Sequence, residues 1–188
     1  MKEIYDFIDN YVKLAYVVRR LNAKLNRLPE FLYARSVECD YRELGLDEEF
    51  VSKLEEGSSL QDIKDCYDVL SEKVNSMSAE VYSVIYALSP ELKQDLYDFL
   101  LARSSALTIE ATEAQMTYMK TVGQIEEAEK NEDSAQIRVL GKIAKSQYSR
   151  FYELDSFKDS YTYLGCYMSS MVGRKFVVDI KAESGIRL

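Results

Sequence analysis

The sequence predicts an all-α fold, arranged as an elongated helical bundle. Only seven glycines and two prolines occur in 188 residues, so few residues interrupt long helices. Apolar residues recur at steps of three and four through most of the chain, which is the spacing of one helix face. The run FVVDI, near the C-terminus, has the β-branched and aromatic character of a strand, and it predicts a short strand-like tail.

The N-terminal segment predicts a helix with a heptad pattern over residues 1–28. Its apolar positions follow one another at alternating steps of four and three, and we call them the seam: Phe7, Tyr11, Leu14, Val18, Leu21 and Leu25. This spacing is typical of helices that pack side by side. Leu28 precedes Pro29, which disfavours helical geometry, so the helix is expected to end or kink there. The helix should pack either on the rest of the chain or on a second copy.

The region 38–88 is predicted to be acidic and built of short helices. Residues 38–98 contain sixteen acidic and five basic residues. Ser59 stands in the N-cap position of LQDIKDCYDVLSEKV, which has one apolar face. The following segment, SMSAEVYSVIYAL, has the pattern of another short helix.

Residues 90–173 predict a long antiparallel helical hairpin. A capping serine followed by proline, at Ser89, marks the start of its first helix. The apolar stripe then continues to about Lys130, and the polar NEDS segment predicts the turn. A glycine with neighbouring basic residues, at Gly173, is typical of a helix C-terminus. We therefore expect one helical domain over residues 1–175, followed by the tail over residues 176–188.

Cysteine usage and hydropathy indicate where the protein works. The three cysteines lie far apart and form no CxxC pair, which favours a reducing compartment without a disulfide framework or zinc site. No run approaches 18 apolar residues, and the first residues lack the features of a signal peptide. We expect a cytoplasmic location, or one inside an assembled particle, and no membrane partner.

Histidine is absent, which excludes the usual Ser-His-Asp and Cys-His catalytic sets and the Glu-x-x-His di-iron site. Glycine-rich phosphate-binding loops are absent as well. The sequence therefore predicts no enzymatic activity and no cofactor. One catalytic route stays open, in which paired carboxylates bind Mg²⁺: Glu110, Glu113, Glu129 and Glu132. Their spacing is loosely similar to that of the all-α nucleoside triphosphate pyrophosphohydrolases, but solvated helix faces produce such pairs too.

Two runs of basic residues predict electrostatic contacts. One lies on a single face of the first helix, and the other on the return helix of the hairpin: Lys13, Arg20, Lys24 and Arg27, then Arg138, Lys142 and Lys145. Three interpretations compete. The runs pair with acidic helices of this chain or of a second copy; or they contact phosphates; or the acidic middle is the working surface.

These features favour a non-enzymatic helical protein that binds protein, as a self-assembling structural or accessory component. The fifteen tyrosines support protein binding, because tyrosine is enriched at protein interfaces. The alternative is an acidic regulator that binds another protein, such as a nucleic-acid enzyme, by charge mimicry. A Mg²⁺-dependent nucleotide pyrophosphohydrolase is the second alternative. Nucleic acid is a possible but less favoured partner.

Overall fold

A computed structural model of the protein describes residues 1–26 and 59–177. Within these ranges it contains helices and no strand: α1 (Lys2–Leu25), α2 (Leu60–Ala87), α3 (Pro90–Lys130) and α4 (Ser134–Val172). The predicted all-α fold is confirmed. The end of the predicted heptad helix, part of the acidic region and all but the first residues of the tail lie outside the described residues.

The predicted hairpin is present, and α3 and α4 pack along one another in antiparallel directions. Ser89 caps α3, because its hydroxyl accepts a hydrogen bond from the backbone N–H of Leu92 at 3.3 Å. Asp133 caps α4 in the same way, accepting from Gln136 at 3.0 Å. Gly173 ends α4 in the left-handed conformation, with φ of 66°, which glycine adopts without strain. Each end is thus specified locally.

The helix α2 differs from the prediction of two short helices. It runs without interruption for 28 residues, from a capping box between Ser59 and Asp62. The intervening polar residues are weak helix formers, yet none is a glycine or a proline. Val74 and Met77 pack on α1, and Val81 enters the main core, so burial continues through the predicted break. Tertiary packing outweighs the local preference.

The main core lies where α1 and α2 meet the base of the hairpin. Its buried members come from all four helices and include Ile8, Val12, Val81, Ile85, Leu96, Leu100, Leu164 and Met168. A second cluster joins only α1 and α2, and consists of Leu14, Val17, Leu21, Cys66 and Leu70. The helix α1 therefore has two neighbours and contributes to both clusters.

One polar contact ties α1 to the hairpin. The buried Tyr161 hydroxyl of α4 donates a hydrogen bond to the Asp9 carboxylate of α1. Arg103 of α3 lies 3.6 Å from the other oxygen of Asp9, and its guanidinium stands over the Tyr161 ring. Three helices thus meet at one tyrosine, and its polar tip is satisfied inside the core.

Further along the hairpin, α3 and α4 continue as a two-helix arm, which we define as residues 112–150. The arm interior holds mainly small buried side chains, such as Thr121, Ala128 and Ala144. The side-chain oxygen of Gln147 is also buried there, and no donor among the described residues reaches it. The arm extends for about 27 Å along its axis. It is therefore long and thin, and it has fewer fully buried side chains than the base.

Gly165 provides a test of how the C-terminal segment docks. A Cβ at Gly165 would lie 1.9 to 2.5 Å from ring carbons of Phe176, whose ring packs against Tyr97. We expect Gly165→Ala to displace that ring and to lower the free energy of unfolding by about 1–3 kcal/mol in urea denaturation. In a Phe176→Ala background the same change should instead stabilise by about 1 kcal/mol, because alanine favours the helix.

The matched control for this experiment is Gly141→Ala, at a helical position where, among the described residues, the added Cβ would have no neighbour within 4 Å beyond its own stretch of helix. It should stabilise the protein by about 0.5–1 kcal/mol in either background. Equal effects of Gly165→Ala with and without Phe176 would contradict the proposed clash.

The Tyr161 contact predicts a loss of stability at alkaline pH. Burial, and next the hydrogen bond to Asp9, raise the pKa of Tyr161. The folded state therefore keeps the phenol proton above pH about 10, where the unfolded chain loses it, so stability falls as pH rises beyond that value. Tyr161→Phe should lower the free energy of unfolding by about 1–2 kcal/mol at neutral pH and flatten the alkaline decline, measured by urea denaturation.

The control for Tyr161→Phe is Tyr86→Phe, because Tyr86 is 75% exposed. Its free energy of unfolding should match that of the unaltered protein at each pH. Two variants with identical alkaline profiles would show that Tyr161 does not carry the effect.

Candidate interaction surfaces

The seam lies largely inside this chain's own core. Leu14 and Leu21 are 1% and 4% exposed and pack on α2. The other members are partly buried, and Phe7 and Tyr11 pack on the main core while Val18 packs on the α1–α2 cluster. Leu25 is partly buried near the end of the helix. The heptad helix was expected to pack either on this chain or on a second copy. Packing on this chain covers most of the seam, so little of the seam is left to contact a second copy.

The burial of α1 is also wider than the seam. A second stripe, at steps of four, faces the hairpin and consists of Ile8, Val12, Tyr16 and Arg20. The Tyr16 ring packs edge-on against Phe157 of α4, which fixes the direction of this stripe. A heptad pattern identifies one narrow contact face. It does not reveal that α1 lies between two neighbours, and so sequence reasoning missed this stripe.

The basic residues of α1 do not form one exposed patch. Arg20 is only 6% exposed, and its guanidinium lies 5.9 Å from the Tyr16 ring. Lys13 is partly buried. The side chain of Lys24, and Arg27 as a whole, lie outside what the structure describes. Arg19, which the sequence did not single out, is exposed and donates a hydrogen bond to Ser160 of α4 at 2.6 Å. The burial of Arg20 removes it from any surface contact with phosphates.

The second basic run is exposed on the arm. Arg138, Lys142 and Lys145 all lie on exposed positions of α4. Residues 134–150 carry four basic residues and no acidic one, whereas residues 112–133, which include the turn, carry six acidic and two basic residues. The two sides of the arm therefore differ in net charge, by +4 against −4. Part of this difference is compensated within the hairpin, since Arg150 lies 3.9 Å from Glu110.

The paired carboxylates do not form a single group. Glu110 and Glu113 lie about 29 Å and about 24 Å from Glu129 along the axis of one helix, because each residue advances a helix by about 1.5 Å. Glu132 lies in the turn, with a positive φ of 54°. Among the described residues, acidic, cysteine and histidine side chains form no group of three or more that could hold a metal ion. The geometry thus gives no support to a shared Mg²⁺ site at these four residues.

Four large apolar side chains are exposed on the arm: Met116 and Met119 on α3, and Val139 and Ile143 on α4. Val139 is 60% exposed and Ile143 is 43% exposed, although they are four residues apart and share one helix face. Single exposed apolar residues are normal on any surface, but a pair on one face of a thin arm forms a small apolar strip. This strip is a candidate contact surface.

The apolar strip continues a face that is covered nearer the base. Phe157 and Ser160 of α4 contact Tyr16 and Arg19 of α1. From Phe157, alternating steps of four and three towards the turn lead to Arg150, Ile143 and Val139 on the same face of α4. This face therefore packs on α1 at the base and is uncovered along the arm.

Tyrosines form a second exposed surface, at the junction of α2 and α4. The rings of Tyr82 and Tyr167 pack edge-on, with centroids 4.8 Å apart. Burial, and next a hydrogen bond with Tyr163, raise the pKa of Tyr82. Tyr163 and Tyr86 remain largely exposed beside them. The spacing of YTYLGCYM pointed to Tyr163 and Tyr167, but their contact with Tyr82 depends on the packing of α2.

This chain matches no protein-family model, no curated protein and no solved structure. Within the described ranges, none of the helices combines the length and the apolar character needed to span a membrane. The case for function therefore depends on the surfaces themselves.

Because the seam is buried, we expect a substitution in it to lower the stability of the fold. Leu21→Ala should lower the free energy of unfolding by about 2–4 kcal/mol, because it opens a cavity between α1 and α2. Val69→Ala is the matched control, since Val69 lies on α2 and is 57% exposed; it should change stability by less than about 0.5 kcal/mol. Urea denaturation of both variants measures the difference. An unchanged midpoint for Leu21→Ala would contradict its place in the core.

Proposed function

We propose that this chain is a non-enzymatic helical interaction protein that assembles with copies of itself, as a structural or accessory component. The observation that carries the proposal is the arm. It is a two-helix extension with exposed apolar side chains, of which Val139 and Ile143 continue a face that is covered near the base. Two helices alone bury only one stripe of each, so further helices stabilise such an arm when they pack on it.

The charges of the arm support contact with another copy. A surface that carries both an acidic and a basic helix can complement a second surface of the same kind. Charge pairs of this type set orientation and partner choice more than affinity. The exposed tyrosines at Tyr86 and Tyr163 add a second surface of a composition that favours protein contacts. A cytoplasmic location, or one inside an assembled particle, fits such a component.

Light scattering on a sizing column tests this proposal, with absorbance at 260 and 280 nm recorded together at moderate salt. We expect a discrete multiple of 21.7 kDa with a protein-like absorbance ratio. The mass should fall towards that of a single chain on dilution, because association depends on concentration.

Other results would point to a different function. A mass of one chain at every concentration would contradict self-assembly. If that monomer captured a basic protein, the acidic regulator would be favoured instead. A raised 260 nm signal that salt abolishes would indicate bound nucleic acid.

A further inference from the structure

On the basis of the proposed self-assembly, we propose that two copies join face to face through one uncharged surface at the base, which we call the tyrosine surface. Its members are exposed or partly exposed: Tyr82 and Tyr86 of α2, and Tyr163, Cys166, Tyr167 and Ser170 of α4. The occupant of this surface is the same surface of a second copy. This contact is additional to any contact made by the apolar strip of the arm.

The packing of α2 on α4 builds the tyrosine surface from two pairs of residues. Tyr82 and Tyr86 are about one turn apart on α2, and Tyr163 and Tyr167 are about one turn apart on α4. The Tyr82 ring packs edge-on against Tyr167, with centroids 4.8 Å apart, and its side chain forms a hydrogen bond with Tyr163. Cys166, which neighbours Tyr163 on the same helix, is exposed beside them. The two pairs therefore form one continuous surface.

The absence of charge distinguishes this surface from the rest of α2 and α4. Residues 81–90 and 160–173 contain no charged residue, although 30% of the chain is charged. Core packing accounts for their buried positions but not for exposed ones such as Tyr163, which is 65% exposed. Elsewhere, exposed positions of the same two helices carry charges, as at Glu72 and Lys142. Depletion of charge together with an excess of tyrosine is the composition of an interface core.

The charge of the whole chain favours a second copy as the occupant. Each copy carries a formal net charge of −8, so two copies repel one another. That repulsion is weakest where neither copy presents a charged side chain. A polyanion or a strongly charged protein would find no ionic partner within the tyrosine surface. Asp159, which precedes Tyr163 by about one turn of α4 and is exposed, marks the edge of the uncharged region.

Hydroxyl groups and rings make the tyrosine surface complementary to itself. A tyrosine or serine hydroxyl both donates and accepts hydrogen bonds, so it can pair with an identical group. Tyrosine rings pack edge-on against one another, as Tyr82 and Tyr167 already do within the chain. A two-fold axis between the copies repeats each contact, which is the commonest symmetry of homo-oligomers. Identical surfaces can thus cover one another without an unpaired charge.

The tyrosine surface and the apolar strip lie on different sides of α4. Tyr163 follows Ile143 and Val139 in the chain, and at about 100° per residue it lies roughly 120–160° around the helix from them. It also lies about 30 Å from Ile143 along the helix axis. A substitution in the tyrosine surface therefore leaves the apolar strip intact, and the two contributions to assembly can be measured separately.

Substitutions of both signs in the full-length chain test the surface. Tyr163→Glu should raise the dissociation constant of the oligomer about tenfold or more, measured by sedimentation equilibrium, because two-fold symmetry buries the new charge twice. Tyr163→Lys should weaken assembly in the same way, although it lowers the net negative charge that separates the copies. Circular dichroism should show unchanged helix content for both variants, because the side chain is largely exposed.

Val69→Glu and Val69→Lys are the matched controls. Val69 is an apolar residue of α2 that is 57% exposed, and it lies about 20 Å from Tyr82 along the helix axis, outside the tyrosine surface. Each control should change the dissociation constant less than about threefold, since solvent and salt screen the added charge. If Tyr163→Glu weakened assembly while Tyr163→Lys strengthened it, position 163 would respond to charge alone, and the uncharged contact would be wrong.

The thiol of Cys166 gives a second measurement, in the unaltered protein. Excess iodoacetamide should alkylate Cys166 more slowly as the protein concentration rises above the dissociation constant, because a second copy covers the thiol. Mass spectrometry of the peptide that contains Cys166 measures this rate. In Tyr163→Glu the rate should stay constant over the same concentrations. A rate that does not change while the unaltered protein assembles would overturn the tyrosine surface.

The outcomes separate this inference from the proposed function. A single-chain mass for the unaltered protein at every concentration overturns both. An oligomer that tolerates both substitutions of Tyr163 as well as it tolerates those of Val69 overturns the tyrosine surface and leaves self-assembly through the arm standing. Weakening by either charge at Tyr163, together with slower alkylation of Cys166 in the oligomer, supports the inference.

Discussion

The position of α1 between two neighbours is the constraint on which the rest of the structure depends. One stripe of this helix packs on α2, and the other packs on the hairpin through Tyr16 and the Asp9–Tyr161 hydrogen bond. A helix of 24 residues that buries both stripes gains more apolar burial than a surface helix does. This double burial brings α2 to the base of the hairpin. It also explains why even Arg20, with its long apolar stem, is covered.

Because α1 covers only the base of the hairpin, the arm has a different physical character. Large, fully buried apolar side chains hold the base together, whereas the fully buried side chains of the arm are small and its larger ones, such as Tyr118 and Tyr148, are partly buried. The acidic helix and the basic helix attract one another within the hairpin. The exposed sides of α3 and α4 keep this difference in charge. A second hairpin that approached the arm would therefore contact both acidic and basic side chains. This mixture of charges is one reason why we propose contact between like chains rather than contact with a polyanion.

The sequence predicts most of the fold, because the signals that define it are local. The Ser89 and Asp133 caps, the turn and Gly173 identify the hairpin without tertiary information. Two features could not be predicted from the sequence, for physical reasons. The break expected within α2 is absent because Val74 and Val81 pack on α1, and burial outweighs weak helix propensity. The seam of α1 was identified, but whether Leu14 and Leu21 would face this chain or another depends on the three-dimensional arrangement. The difference in charge between the two sides of the arm can be read from the sequence. Which face of the arm α1 leaves uncovered cannot, because it depends on the three-dimensional packing.

The unequal packing along the hairpin has a consequence for its dynamics. The arm interior contains Ala128, Ala144 and a buried Gln147 oxygen that no donor among the described residues reaches. Little apolar area is buried at these positions, so local opening there costs less free energy than opening the base, where Leu100 and Leu164 are buried. Backbone amides of the arm should then exchange their hydrogens with solvent through opening of the turn end alone, while those of the base exchange only with global unfolding. The two long helices would behave as two cooperative units, although each is continuous in the backbone.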